Sequence, residues 1–233
     1  MLRRIGGAAA LGYVAGVGVE NMDVLQAPFI GSSIGDIRSF YDDQALGVVT
    51  NAAGALALLF YCVFVAGLVS VLFPRVEGLA LVALIGGVGG PAVAAFGQAA
   101  SAILVVEGGG GLGDDLVRSL FDLHLVAQMV AGPFIALFLA GAGVGGLRSR
   151  ALPPWLAWYA CALAVPIAFT PIAALTGDHA LQIIVTLLFG ADTLWIFLVG
   201  LWMALAEGIA PRTLVRRAAF LVLVIAAVRT IRR

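Results

Sequence analysis

The sequence predicts an all-α protein, a polytopic transmembrane helical bundle of six spans, or seven if its hydrophobic C-terminal helix also crosses. Three observations carry this. The 233 residues are 62% hydrophobic and only 11% charged, with a mean hydropathy of +1.10, where a soluble domain carries about 25% charged residues. The apolar runs are continuous rather than alternating, which excludes a β-barrel. The clearest run, Ala180 to Ala206, is 27 residues long with one ionisable side chain, Asp192. That is long enough to cross a hydrocarbon core of about 30 Å as a helix.

The chain opens with Met1 to Glu20, where Arg3 and Arg4 precede an apolar stretch. It reads either as a signal peptide with a small-residue cleavage site at Gly16-Val17-Gly18, or as a short retained helix packed through Gly12 and Gly16 at GxxxG spacing. Both readings place the next segment outside. Asn21 to Asp43 is the longest connection, acidic, with a short interfacial helix expected over Ile34 to Tyr41 and Ser33 or Asp36 near its start. The second span is Ala45 to Phe73, closed by Pro74-Arg75. The third is Gly78 to Val106, with a flexible centre expected at Gly86 to Pro91, GGVGGP. Gly108 to Asp115 is a loop. Leu116 to Leu147 holds the fourth span, and Arg148 and Arg150 close it. Pro153 to Thr176 is the fifth, opened by an interfacial belt of Trp155, Trp158 and Tyr159 and kinked at Pro166 and Pro171. A tight turn, Thr176 to His179, leads into the sixth.

Residues 1–210 thus form the bundle, and 211–233 an Arg-rich hydrophobic tail. Only 11 apolar residues separate Arg217 from Arg229, about 16 Å of helix, so the tail reads as lying at the inner face, with a seventh span as the alternative. Arg3, Arg4, Arg75, Arg148, Arg150, Arg212, Arg216 and Arg217 fall on one side of a six-span layout, and only Arg38 and Arg118 on the other. The positive-inside rule then places the protein in the cell membrane with both termini cytoplasmic.

The 13 basic residues are all arginine, which excludes a lysine Schiff base and a phosphate-loop lysine. GGGGLG at Gly108 lacks the GK[ST] that would make it a phosphate cradle. A formal net charge of zero gives no pointer to nucleic acid. Cys62 and Cys161 lie in apolar runs and read as small hydrophobes. With two histidines and no cysteine in the outer half, no metal site is expected, and no cofactor is implied.

Polar residues gather between the outer surface and the midplane. Asn51 lies about 9 Å and His124 about 12 Å below the outer helix ends, by the rise of an α-helix. Gln98, Ser101, Asp122, Gln128, Gln182 and Thr186 fall in the same outer half, while the inner halves are nearly bare. A carboxylate at mid-bilayer costs about 2.5–3.5 kcal/mol, and no cation stands at the depth of Asp192. It is therefore expected to be protonated or held by hydroxyl and amide donors. Arg118 and Asp122 stand at i, i+4, the spacing of a local ion pair. The expected ligand-binding set is Asp192, His124, Gln128, Gln98, Asn51 and Thr186, with Asp192, Asp122 and His124 as the candidates for any catalysis.

Four stretches resemble a group of six-helix actinobacterial membrane proteins, loosely the DUF4386-type. They are IRSFYDD with the span ending LFYCVFVAGLVSVLFPRVEG, then SLFDLHLVAQMVAGPFIALFLAGAGV, LRSRALPPWLAWYACALAV and GADTLWIFLVGLWMAL. The resemblance implies a fold and a topology, and no chemistry. Asp192 stands where those proteins often carry glutamate.

Three functions compete. The first is a membrane protein with an outward-opening polar pocket that binds an apolar small molecule or a membrane partner, in contact with membrane lipids. The second is an integral membrane enzyme acting on a lipid or isoprenoid, with Asp192 or Asp122 as acid. The third is a proton-coupled transporter using Asp192 and His124, disfavoured by the bare inner half.

Overall fold

The computed structural model describes residues 1–22, 27–42, 44–107 and 111–205. The tail, 211–233, lies outside the described residues. Eight helices appear among them: α1 (Leu2–Glu20), α2 (Ile34–Tyr41), α3 (Gln44–Leu72), α4 (Glu77–Glu107), α5 (Asp114–Ser149), α6 (Pro154–Ala168), α7 (Pro171–Thr176) and α8 (His179–Leu205). No strand occurs among the described residues. Five helical segments are long and apolar enough to cross a membrane: Ala45–Leu72, Glu77–Glu107, Asp114–Ser149, Pro154–Thr176 and His179–Leu205. The expected six included α1, whose arginines and glycines dilute it below the other five.

α1 is nevertheless built into the bundle, between α3 and α8. Its glycines bring backbones together. A Cβ on Gly67 would lie 2.6 Å from the Gly6 Cα, and one on Gly7 would lie 2.9 Å from the Gly200 carbonyl oxygen. Gly16 meets Ala53 and Ala57, and Gly12 lies under the Phe60 ring, as the GxxxG spacing predicts. Where lipid replaces water, such close packing drives helix association in place of the hydrophobic effect.

The expected flexible centre of the third span is not there. α4 runs unbroken through Gly86 to Pro91, with Pro91 inside it. Gly86 abuts the α5 backbone at Phe134 and Phe138, and a Cβ on Gly141 would come within 2.6 Å of the Ala83 nitrogen. The glycines are a packing surface for α5. With no water to solvate an opened helix, the backbone has nothing better to bond to than itself.

The fifth span does break. Pro171 lacks the N–H that would serve the Ile167 carbonyl, and Pro133 on α5 likewise leaves the Met129 carbonyl without its i+4 donor. The Thr170 hydroxyl stands between α6 and α7, and its single proton is shared between the Met129 carbonyl of α5 at 2.7 Å and the Ile167 carbonyl of α6 at 3.0 Å. Gly132 makes room, since a Cβ there would collide with the Thr170 Oγ1. Ile167 also keeps the Thr170 backbone N–H at 3.2 Å, so the hydroxyl serves chiefly the Met129 carbonyl that Pro133 has freed.

α2 starts as expected: the Ser33 side chain accepts from the Asp36 N–H at 3.2 Å. It does more than lie at an interface. Ile37 and Tyr41 are buried against Leu104, Val105, Val117 and Phe121 of α4 and α5. Arg38 ties α2 across to Asp114 and to the Leu112 carbonyl, 2.6 and 2.7 Å away. Burial raises the Tyr41 hydroxyl above its ordinary pKa, opposed by a hydrogen bond with Ser101.

Candidate functional site

α8 presents Asp192 to the bundle interior, where it is 2% exposed. Its Oδ1 has no hydrogen-bond partner among the described residues. Three tyrosines from three other helices lie within electrostatic reach of the carboxyl: Tyr13 of α1, Tyr61 of α3 and Tyr159 of α6. The Tyr61 hydroxyl is also buried and without a partner. Tyr13 stacks obliquely on Tyr61, with ring centroids 5.3 Å apart, and its hydroxyl meets Thr193. Tyr159 donates to the Ala191 carbonyl at 3.0 Å. It had been expected in the interfacial belt, but only Trp155 and Trp158 are exposed there; Tyr159 turns inward.

Beyond this centre, toward the C-terminal end of α8, the bundle is closed by aromatic rings. Trp195 stands one turn after Asp192 on the same face. It packs edge-on against Phe138 at 5.8 Å and Phe64 at 6.4 Å, and its indole N–H donates to the Leu156 carbonyl at 2.8 Å. Trp195, Phe64 and Phe138 have no exposed surface. The half of the bundle that is bare of polar residues is packed with aromatic rings at this end.

A second polar group lies at the other end of α1. The Gln98 side-chain amide donates to the Glu20 carboxylate, and Asn51 donates to the Gln98 carbonyl and side-chain oxygens, both at 3.3 Å. Tyr13 and Glu20, seven residues apart on one helical face, put α1 in both groups, and the Glu20 charge also reaches the Tyr13 hydroxyl.

The remaining expected residues do not join Asp192. Thr186 is exposed and its hydroxyl donates back to the Gln182 carbonyl at 3.0 Å. Gln182 accepts from the Ile30 N–H at 3.1 Å and donates to the Gly177 carbonyl at 3.2 Å, latching the segment before α2 to α8. His124 holds α5 to α4: its Nδ1 lies 3.0 Å from the Gly97 carbonyl oxygen, which can only accept. Gln128 is half-buried on α5 and hydrogen-bonds to neither group. Arg118 donates to the Ser32 carbonyl at 2.9 Å and its charge still reaches the Asp122 carboxyl, whose Oδ1 has no hydrogen-bond partner among the described residues. Among the described residues no three His, Cys, Asp or Glu side chains gather as a metal ion would need.

Sequence reasoning missed Tyr13, Tyr61 and Glu20. A tyrosine within an apolar run has no periodic signal that separates it from core, and Glu20 looked like the edge of a loop. No protein-family model, no curated protein and no solved structure matches this chain.

Proposed function

We propose that this is a multi-pass protein of the cell membrane, with α1 as a sixth span and both termini cytoplasmic, that binds a small, mainly apolar molecule at Asp192. The observation that carries the reading is the pair of buried polar atoms without partners, the Asp192 Oδ1 and the Tyr61 hydroxyl. Each costs about 1–3 kcal/mol while it stays unpaired, and a molecule bearing a hydroxyl or amine would satisfy both. The surrounding rings supply apolar walls, as small-molecule sites generally do. A partner helix fits less well, because Asp192 is already only 2% exposed inside the bundle. The likeness to DUF4386-type proteins rests on the sequence motifs alone and is part of the proposal.

The test compares wild type with Asp192→Asn and Tyr61→Phe, each purified in mild detergent, extracted and examined by mass spectrometry for retained small molecules. Wild type is expected to hold a species that each variant loses about tenfold, the effect of one lost hydrogen bond of about 1.4 kcal/mol, with unfolding temperatures little changed. Equal retention in all three, or none in wild type, refutes the binding reading. Conversion of an added lipid or isoprenoid by wild type but not by Asp192→Asn favours the enzymatic alternative instead.

A further inference from the structure

A cleft of about 480 Å³ opens at the opposite end of the bundle from α2, between the end of α5, the start of α6 and α8. Gly146, Leu147, Arg150, Leu152, Pro153 and Trp202 line it. Its walls are apolar, and among the described residues its one charge is Arg150. That arginine ends α5 in the left-handed conformation, with φ 53°, and is the only non-glycine residue with positive φ among the described residues. Glycine fills such a C-cap without steric cost, so an arginine there gives up backbone comfort for a guanidinium at the cleft.

A second guanidinium lies against one of the lining side chains. The Arg3 Cζ lies 4.3 Å over the Trp202 ring, and the Arg3 Nε and Nη2 are buried with no hydrogen-bond partner among the described residues. Buried donors of a permanently charged fork are costly unless an anion meets them. Pro153 and Pro154 open α6, so that helix start offers few N–H groups, and recognition of an anion falls to the arginines. Trp155 and Trp158, 57% and 64% exposed at the same end, are the aromatic girdle of a membrane–water interface.

We propose that this cleft binds an anionic phospholipid. Its phosphodiester sits on Arg150 and Arg3 about the edge of Trp202, and an acyl chain lies along Leu147, Leu152 and Pro153. Guanidinium groups match phosphate oxygens in pairs, and basic pockets between membrane helices take anionic headgroups by this chemistry. The site is separate from Asp192 and stands whether or not that carboxyl binds a ligand.

The full-length protein, freed of lipid in detergent, is titrated with phosphatidylglycerol, with phosphatidylcholine and with inorganic phosphate, and bound lipid is counted by native mass spectrometry alongside the unfolding temperature. Phosphatidylglycerol is expected to bind and stabilise wild type more strongly than phosphatidylcholine. Arg150→Gly, which relieves the backbone, is expected to unfold no earlier than wild type without lipid yet bind phosphatidylglycerol about tenfold more weakly. Arg3→Gln is expected to lose a similar factor, and Arg150→Lys to lose less. Equal binding of the two lipids by wild type, undiminished phosphatidylglycerol binding by Arg150→Gly and Arg3→Gln, or stabilisation by inorganic phosphate alone overturns the proposal.

Discussion

Thr170→Val tests whether one hydroxyl holds the broken fifth span to α5. Valine keeps the branched shape and nearly the volume of threonine and removes only the donor. Thr170 is 1% exposed, so water does not replace the lost bond. The two carbonyls it serves fare differently. Ile167 keeps the Thr170 backbone N–H at 3.2 Å, whereas Met129, its usual partner removed by Pro133, loses the hydroxyl 2.7 Å away. One orphaned buried acceptor costs about 1–3 kcal/mol, while interhelical hydrogen bonds in membranes average about 0.6 and reach about 1.7 kcal/mol. The expected loss is therefore about 1–2 kcal/mol, and at about 2–4 °C per kcal/mol for a chain of this size it is readable by intrinsic tryptophan fluorescence during heating in detergent. Thr170→Ser keeps the donor and is expected to recover most of the difference. A valine variant that unfolds with wild type, or a serine variant as weak as valine, refutes the reasoning.

On a background lacking Cys62 and Cys161, a cysteine at Ser39, exposed on α2, is expected to react with an impermeant maleimide on intact cells. One at Gly78, where added atoms meet open space, should react only after the cells are opened; the reverse pattern inverts the proposed topology. Glu20→Leu leaves the Gln98 amide without its acceptor and is expected to cost about 1–2 kcal/mol of stability, whereas Glu20→Gln retains an acceptor and costs less. Equal unfolding temperatures for the two would remove Glu20 from the α1–α4 contact.

The helices were legible because their signals are local. Continuous apolar runs, the Ser33 cap, the prolines of the fifth span and the tight turn from Thr176 to His179 each act within a few residues of chain. Burial of Asp192 was legible too, since a lone acid in a long apolar run has few other places to go. Its surroundings were not. Tyr13, Tyr61 and Tyr159 come from three different helices, and only the packing of those helices makes them neighbours of one carboxyl. Thr186 illustrates the opposite failure: depth along α8 brings it near Asp192, but six residues turn it roughly 120° away, onto the exposed face. Thr170 joins Pro133 and Pro171 through a contact between helices, so neither proline's spacing announces it.

α1 is the element on which the site depends most, and the one the sequence left most open. It supplies Tyr13 to the Asp192 centre, Glu20 to the polar group with Gln98 and Asn51, and Arg3 to the Trp202 ring at the other end. Those roles require that it be packed, and two of its own glycines test this directly. A side chain on Gly7 would lie 2.9 Å from the Gly200 carbonyl oxygen and 3.0 Å from the Ala204 nitrogen, both backbone atoms, whereas one on Gly18 meets nothing within 4 Å. Gly7→Leu and Gly18→Leu raise the apolarity of α1 equally, so a loosely attached or merely targeting segment should tolerate both alike. A packed α1 should tolerate only the second, because overpacking a backbone contact costs about 1–3 kcal/mol and would draw Tyr13 away from Asp192. The measurement is the unfolding temperature of each variant together with its retention of the small molecule held by wild type. Loss of both properties in Gly7→Leu alone is expected; equal behaviour of the two leucine variants would detach α1, and with it Tyr13, from the site.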